Sequence, residues 1–354
     1  MNLTRLSGVK VSGVVAALPE NRLDNREAMD PLYGNGVDTL IKATGIESRC
    51  IVNPGTTALD LGVAAAEALL AKTNTSPQEI GAAICVTFTP EHLMPADAPA
   101  AQDRLGLPKE IPAFDINMAC SGYGYGLYIA GTLVKATGKK VLLLDGDVQS
   151  AYVSPEDKAT VPVLADAGTA TLLSPADDSP EWKFSFLTDG GKKDVLYIPS
   201  GGSKKTISAE DLLFREYGDG SRRRDTDIYM DGFEVFKFVA IDASGFLKKF
   251  MGECGETADS IDVFVPHQAN IYMIGQLAKK LKIDKQKMWK SGDKYGNPGS
   301  SSVPLTIAEN GRKWIEGGGR TDTVLFAGFG GGMSVSCGMV RLEKDAVYEI
   351  IQYE

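Results

Sequence analysis

Four short stretches hold the residues best suited to chemistry. In Asp115-Ile116-Asn117-Met118-Ala119-Cys120-Ser121-Gly122 a strand-like run hands over to an apolar helical run, with a cysteine at the junction. A thiol at a helix start meets unpaired backbone N–H groups and the positive end of the dipole. Both favour thiolate and predict a lowered pKa. Ala119, Ser121 and Gly122 are small enough to let a substrate approach. In Val265-Pro266-His267-Gln268-Ala269-Asn270 a histidine directly follows a buried strand. The carboxyl ends of strands are where α/β sheets place ligand sites. His267 there suits an electrostatic stabiliser, a base or a polar end group. Asn297 lies in Lys294-Tyr295-Gly296-Asn297-Pro298-Gly299-Ser300, a tight turn leading into a helix. Asparagine is also common in turns for local reasons. Phe329-Gly330-Gly331-Gly332-Met333 strings three glycines together. Successive glycines can expose backbone N–H groups in the manner of an oxyanion hole. No Lys-Ser/Thr pair follows, so a Walker A loop is excluded.

The rest of the sequence narrows the chemistry. Cys50, Cys85, Cys120, Cys254 and Cys337 are odd in number, irregular in spacing and without a CxxC. That argues against a disulfide framework or a structural zinc site, and reduced thiols suit a cytoplasmic protein. Apart from Cys120 they read as buried structural residues. His92 and His267 are the only histidines, which excludes mechanisms needing three. His92 reads as a loop or interface residue. A net charge of −9 speaks against general nucleic-acid binding. The N-terminus lacks a signal-peptide core. The most apolar long run, Thr323–Val340, is broken by glycines and reads as two strands rather than a membrane span.

Elements must position these residues, and their pattern alternates. Strand-like runs at Ala82–Phe88, Val141–Asp145, Ile261–Val265 and Val324–Ala327 are separated by helical patterns. The helices are expected at Ala58–Ala71, Ala96–Leu105, Gly122–Ala136, Gly232–Met251, Ile271–Leu281 and Val303–Glu316. Continuous apolar strands between helices imply buried, mostly parallel sheets. A weak internal repeat runs at an offset of about 180 residues. It relates 79–107 to 259–283 and 119–147 to 298–330. Two similar halves follow, 1–178 with the cysteine and 179–354 with His267 and Asn297. The polar stretch 200–227 reads as an inserted surface excursion, either a solvated loop or a binding element.

The order "DINMACSGYGYGL", "DGFEVFKF", "VPHQAN", "YGN" with "SVP", and "FGGGMS" is more specific than its parts. It resembles the thiolase superfamily and, within it, the β-ketoacyl-acyl carrier protein (ACP) synthase III family, over essentially the whole chain. The resemblance implies a five-layered α/β/α/β/α fold of two duplicated halves. It implies that Cys120 takes an acyl group from an acyl-CoA or acyl-ACP thioester. His267 and Asn297 would then bind a malonyl thioester, which loses CO₂ and condenses with the acyl-enzyme. The backbone N–H groups of Cys120 and Gly331 would form the oxyanion hole, with Gly330 and Gly332 beside the substrate. No metal or redox cofactor is implied. The implied partners are an acyl carrier protein and a second copy of the chain.

Departures from the family pattern leave the acyl donor open. Thr39 stands near the place of a tryptophan that stacks on the CoA adenine, and Lys158 replaces an arginine that contacts CoA. Tyr272 replaces a basic residue that helps dock the carrier. Met94 matches a side chain that, in the family, reaches the partner's acyl pocket. Lys237, Lys279 and Lys280, with Lys282, are candidates for carrier docking, and Arg222, Arg223 and Arg224 form a second set. Two other readings stay open: acyl transfer to a hydroxyl or amine without decarboxylation, and a non-catalytic partner subunit.

Overall fold

The structure, a computed structural model, describes residues 1–218 and 220–354. Two sheets run through it. The first takes β2 (Val9–Pro19), β3 (Ile80–Val86), β4 (Ala113–Ile116), β5 (Lys140–Val148) and β6 (Asp166–Pro175), completed by the C-terminal strand β11 (Val347–Tyr353). Its order is β11-β2-β6-β5-β3-β4. The second takes β7 (Trp182–Thr188), β8 (Val263–Pro266), β9 (Val324–Gly330) and β10 (Ser334–Val340), completed by the N-terminal strand β1 (Thr4–Leu6). Its order is β1-β7-β10-β9-β8. Each end of the chain therefore joins the sheet built mainly by the other half.

The first sheet is mostly parallel, as expected, with five of its six strands running the same way, whereas the second is mostly antiparallel. In the first, β6 runs antiparallel to both neighbours. In the second, only β8 and β9 are parallel. The expectation failed for the second sheet because unbroken apolarity reports cover on both faces, not strand direction. Every residue of β3, β9 and β10 is buried, although β9 and β10 are joined by a tight hairpin pairing Gly330 with Ser334.

Helices form three layers around these sheets. Between the sheets lie α4 (Gly122–Thr137) and α8 (Ser302–Glu316), packed against strands of both. Over the outer face of the first sheet lie α2 (Ala58–Lys72) and α3 (Asp97–Arg104). Over the second lie α6 (Ser244–Glu253) and α7 (Ile271–Leu281). A short helix α1 (Val37–Thr44) borders the site. The result is the five-layered α/β/α/β/α arrangement. α4 is apolar around most of its circumference because it is covered on both sides. Its glycines allow the approach. A Cβ on Gly124 would stand 2.3 Å from Ser336 Oγ of the second sheet, and one on Gly126 would stand 2.8 Å from Leu143 of the first.

The expected helix from Gly232 is present in three pieces: α5 (Gly232–Lys237), a π-helical turn at Phe238–Ala243, and α6. The excursion 200–227 is pinned rather than merely solvated. Arg223 donates to Asp157 at 2.8 Å with both side chains buried, and its guanidinium lies 4.1 Å over the Tyr217 ring. Ser154 Oγ donates to the Arg222 carbonyl at 2.6 Å, and Lys205 bridges Asp211 and Asp225. Among the described residues, no helix is long and apolar enough to cross a membrane.

Candidate active site

Cys120 sits in a single 3₁₀ turn, Ala119–Ser121, between β4 and α4. Ala119 adopts φ +44°, a left-handed conformation that costs a non-glycine residue energy and persists only where its surroundings enforce it. Those surroundings come from the second sheet. Ser121 Oγ is 2.7 Å from Ser334 Oγ, and Ser336 Oγ donates to the Ser121 carbonyl at 2.7 Å. β9 presses its backbone against the turn. A Cβ on Gly328 would be 2.9 Å from the Cys120 carbonyl oxygen, and one on Gly330 would be 2.8 Å from Ser121 N. Part of the glycine run is therefore needed for close approach. Among the described residues, no backbone carbonyl accepts from the N–H groups of Cys120 or Gly331.

The thiol is not held as thiolate. Burial, reinforced by the charge of Asp147, pushes Cys120 up to about 12. This overturns the expected lowering. The α4 dipole acts in the expected direction, but the loss of water around a fully enclosed sulfur outweighs it. All five cysteines are free and buried.

His267 follows β8, with its backbone N–H on the Ala327 carbonyl at 2.7 Å. Each neighbour in the stretch has a local task. Gln268 receives the N–H groups of Ser291 and Gly292 on Oε1, and Asn270 caps α7 by accepting from Met273 N at 3.0 Å. The imidazole is buried, and its Nδ1 lies 2.5 Å from Ser302 Oγ. That hydroxyl is wholly buried and has no other partner among the described residues. Donation from Ser302 to Nδ1 satisfies it, and this tautomer puts the proton on Nε2. Burial lowers the His267 pKa to about 3, so the ring is neutral.

Asn297 is fixed through its backbone: N–H to the Val163 carbonyl at 2.9 Å, and carbonyl to Gln149 Nε2 at 2.6 Å. Its Oδ1 accepts from Gly299 N at 3.1 Å, which leaves the Nδ2 group for a ligand. The following turn hangs on Asp147 at the end of β5. The Asp147 carboxylate accepts from Ser300 N and Ser300 Oγ at 2.8 Å each, and from Phe88 N at 2.9 Å. Burial raises Asp147 to about 6 against these hydrogen bonds. Two residues earlier, Asp145 is also wholly buried, and burial, reinforced by the charge of Asp147, pushes its carboxyl well above the usual carboxylate range. Asp147, Gln149 and Ser302 were missed at the level of sequence. The signals present were an Asp-Gly-Asp at the end of an apolar strand and a serine run beside Asn297.

One cavity of about 730 Å³ collects Cys120, His267 and Asn297. Gly330, Gly331, Gly332 and Lys158 also line it. Thr39 and Met94 do not. Thr39 points to solvent from α1, whose Leu40 and Thr44 reach the cavity instead. Met94 is 85% exposed beside Leu93 at 94%, on a protruding loop. Lys237, Lys279 and Lys280 are exposed on α5 and α7, the helices that carry the cavity residues Val235 and Met273. The arginine set is spent elsewhere: Arg222 pairs with Glu156, Arg223 with Asp157 and Arg224 with Asp227. Among the described residues, no group of three or more His, Cys, Asp or Glu is placed to hold a metal.

Comparison with known proteins gives the family of the chain. Family models for the N- and C-terminal parts of 3-oxoacyl-[acyl-carrier-protein (ACP)] synthase III match residues 114–190 and 251–342. The chain is 33% identical to a β-ketoacyl-[acyl-carrier-protein] synthase III of Chlamydia caviae, covering 92% of this chain and 94% of the relative. It is 32% identical to a 3-oxopimeloyl-[acyl-carrier-protein] synthase of Rhodothermus marinus, covering 91% and 90%. A crystal structure of a 3-oxoacyl-(acyl-carrier protein) synthase from Burkholderia xenovorans LB400 superposes with a TM-score of 0.92 at 30% identity, over 99% of each chain. With its Cys, His and Asn gathered in one cavity between two matching halves, the chain belongs to the β-ketoacyl-ACP synthase III family of thiolase-fold condensing enzymes.

Proposed function

We propose that the chain joins an acyl thioester to malonyl-ACP by decarboxylative Claisen condensation, through an acyl group held on Cys120. The observation that carries this reading is the meeting of a buried thiol, a neutral imidazole and a free carboxamide in one cavity. In the loading step the Cys120 sulfur bonds to the acyl carbon. The donor's C–S bond breaks, and the thiol proton leaves with the departing thiolate. Charge that develops on the carbonyl oxygen faces the N–H groups of Cys120 and Gly331. The start of α4 stabilises the sulfur as it gains charge.

In the second step the malonyl thioester carbonyl accepts from His267 Nε2–H and Asn297 Nδ2. Loss of CO₂ leaves its electron pair on the enolate that these two neutral donors stabilise. The enolate carbon attacks the acyl carbonyl, the Cys120 C–S bond breaks, and the sulfur regains a proton. The electron pair comes from the carboxylate, so the scheme draws on no metal or redox group. Transfer to a hydroxyl or amine would leave the Asn297 amide without a task.

The same reading includes a second copy of the chain and a carrier protein. β4 is a sheet edge, and the Leu93–Met94 loop exposes two large apolar side chains that a second copy would cover. The acidic carrier would dock on α5 and α7, where Lys237, Lys279 and Lys280 flank the exposed Phe233 and Tyr272.

The test is intact-protein mass spectrometry after mixing with acyl-CoA and acyl-ACP, with Cys120→Ala as the blank and CO₂ release from malonyl-ACP followed in parallel. An adduct that vanishes in Cys120→Ala, with CO₂ release, is the expected result. Acyl transfer to a small alcohol or amine without CO₂ release would favour the other reading.

A further inference from the structure

We propose that the acyl donor carries an uncharged, apolar chain longer than acetyl. This rests on the condensing reading and goes beyond it, because the family chemistry works with any acyl group. The cavity walls nearest the reacting groups are apolar. The carbonyl of Val163 holds Asn297 N–H at 2.9 Å, which brings Val163 and Leu164 beside Asn297. The Leu196 carbonyl lies 3.1 Å from where a Cβ on Gly331 would be, so Leu196 borders the glycine loop. Phe88 is tied to Asp147 through its N–H at 2.9 Å. These side chains belong to one apolar cluster with Ile198 and Ile228.

Charge is nearly absent from this wall. Among the described residues lining the cavity, Lys158 is the one formally charged side chain. Its ammonium lies over the Tyr33 ring, 6.0 Å from the centroid, and 3.3 Å from where a Cβ on Gly220 would be. The charge is thus held against the 200–227 excursion. A carboxylate at the far end of an acyl chain would lose its water beside Leu164, Leu196 and Ile228 and find no partner there, which is costly. A two-carbon acyl group reaches only a small part of the walls of a cavity of about 730 Å³. Apolar walls reward filling, by roughly fourfold in binding for each methylene buried.

The experiment measures the rate of Cys120 adduct formation on the full chain, with acetyl, butyryl, octanoyl and glutaryl groups offered as CoA and as carrier-protein thioesters. Octanoyl is expected to load at least about tenfold faster than acetyl in kcat/KM, with glutaryl below acetyl. Acetyl loading as fast as octanoyl, or glutaryl loading as fast as butyryl, overturns the inference while leaving the condensing reading intact. No adduct from any donor together with no CO₂ from malonyl-ACP overturns both. Ile198→Trp narrows the wall and is expected to cut the octanoyl-to-acetyl ratio by about tenfold or more. An unchanged ratio in a folded variant overturns the assignment of the wall. Should that variant fail to fold, Met230→Trp probes the same cavity from the strand paired with Leu196.

Discussion

The two central helices begin in the same way and end up with opposite roles. A 3₁₀ turn, Ala119–Ser121, leads into α4, and a 3₁₀ turn, Gly299–Ser301, leads into α8. Cys120 and Ser300 occupy the middle of these turns. Each turn is met by a strand end from the other half. β5 brings Asp147 to Ser300, while β9 brings Gly328 and Gly330 to Cys120 and Ser121. A carboxylate fills the space at the second turn and converts Ser300 into a structural peg. Bare glycine backbone lies against the first turn, leaving the Cys120 sulfur without a partner side chain and its N–H without a backbone acceptor. One repeated unit therefore yields a nucleophile where the partner strand withholds a side chain, and an anchored turn presenting Asn297 where it supplies one.

That contrast is breakable at either turn. The largest effect is expected from Gly330→Ala. Its Cβ would meet Ser121 N at 2.8 Å, so the turn must move. Acyl loading should fall by about 100-fold or more, since small displacements of a reacting group are that costly. Stability should fall by about 1–3 kcal/mol, read by urea unfolding. Loading within a factor of two of the parent would remove the role given to the glycine backbone.

Next in size is Asp147→Ala, which strips the acceptor from Ser300 and Phe88. CO₂ release from malonyl-ACP should drop by about 10- to 100-fold, with loading less affected. Equal losses in both half-reactions would mean that Asp147 serves the whole site rather than the Asn297 turn. Ser302→Ala removes the hydroxyl that fixes the His267 tautomer. Decarboxylation should slow by about tenfold, the value of one buried hydrogen bond, while adduct formation at Cys120 is unchanged.

The smallest effects are in pH. With the thiol pushed up to about 12, iodoacetamide labelling of Cys120 should climb about tenfold per pH unit from 7 to 9. A plateau below pH 8 would show a thiolate the structure does not support. Asp147, raised to about 6, should set the acid limb of decarboxylation, because His267, lowered to about 3, stays neutral throughout. The folded value of Asp147 lies above its ordinary one. Its ionised form therefore weakens the fold above pH 6, and that cost disappears as pH falls towards 4. Asp147→Asn should flatten this part of the stability profile.

The chemistry was legible in the sequence because the three candidate residues sit at chain turns with strong local signatures. Helix α7 was read at Ile271–Leu281, where it lies, because its apolar residues recur with helical period. Strand direction was misread in the second sheet, since a fully covered strand looks alike in either sense. The excursion 200–227 looked solvated because its charges are visible one at a time, whereas their partners at Asp157 and Glu156 lie about 66 residues away. The thiol's pKa was misjudged for a related reason: the helix start is local, but the enclosing wall arrives from the second half. Thr39 misses the cavity by one residue of helix α1, since Leu40 beside it turns inwards.

The central claim is that Cys120 and the His267–Asn297 pair serve separate steps. It is tested most directly by intact mass and CO₂ release measured together on His267→Ala, mixed with an acyl thioester and then with malonyl-ACP. The predicted result is a full acyl adduct on Cys120 with CO₂ release reduced by at least about 100-fold. An enzyme that no longer loads, or one that loads and still decarboxylates normally, would contradict the account.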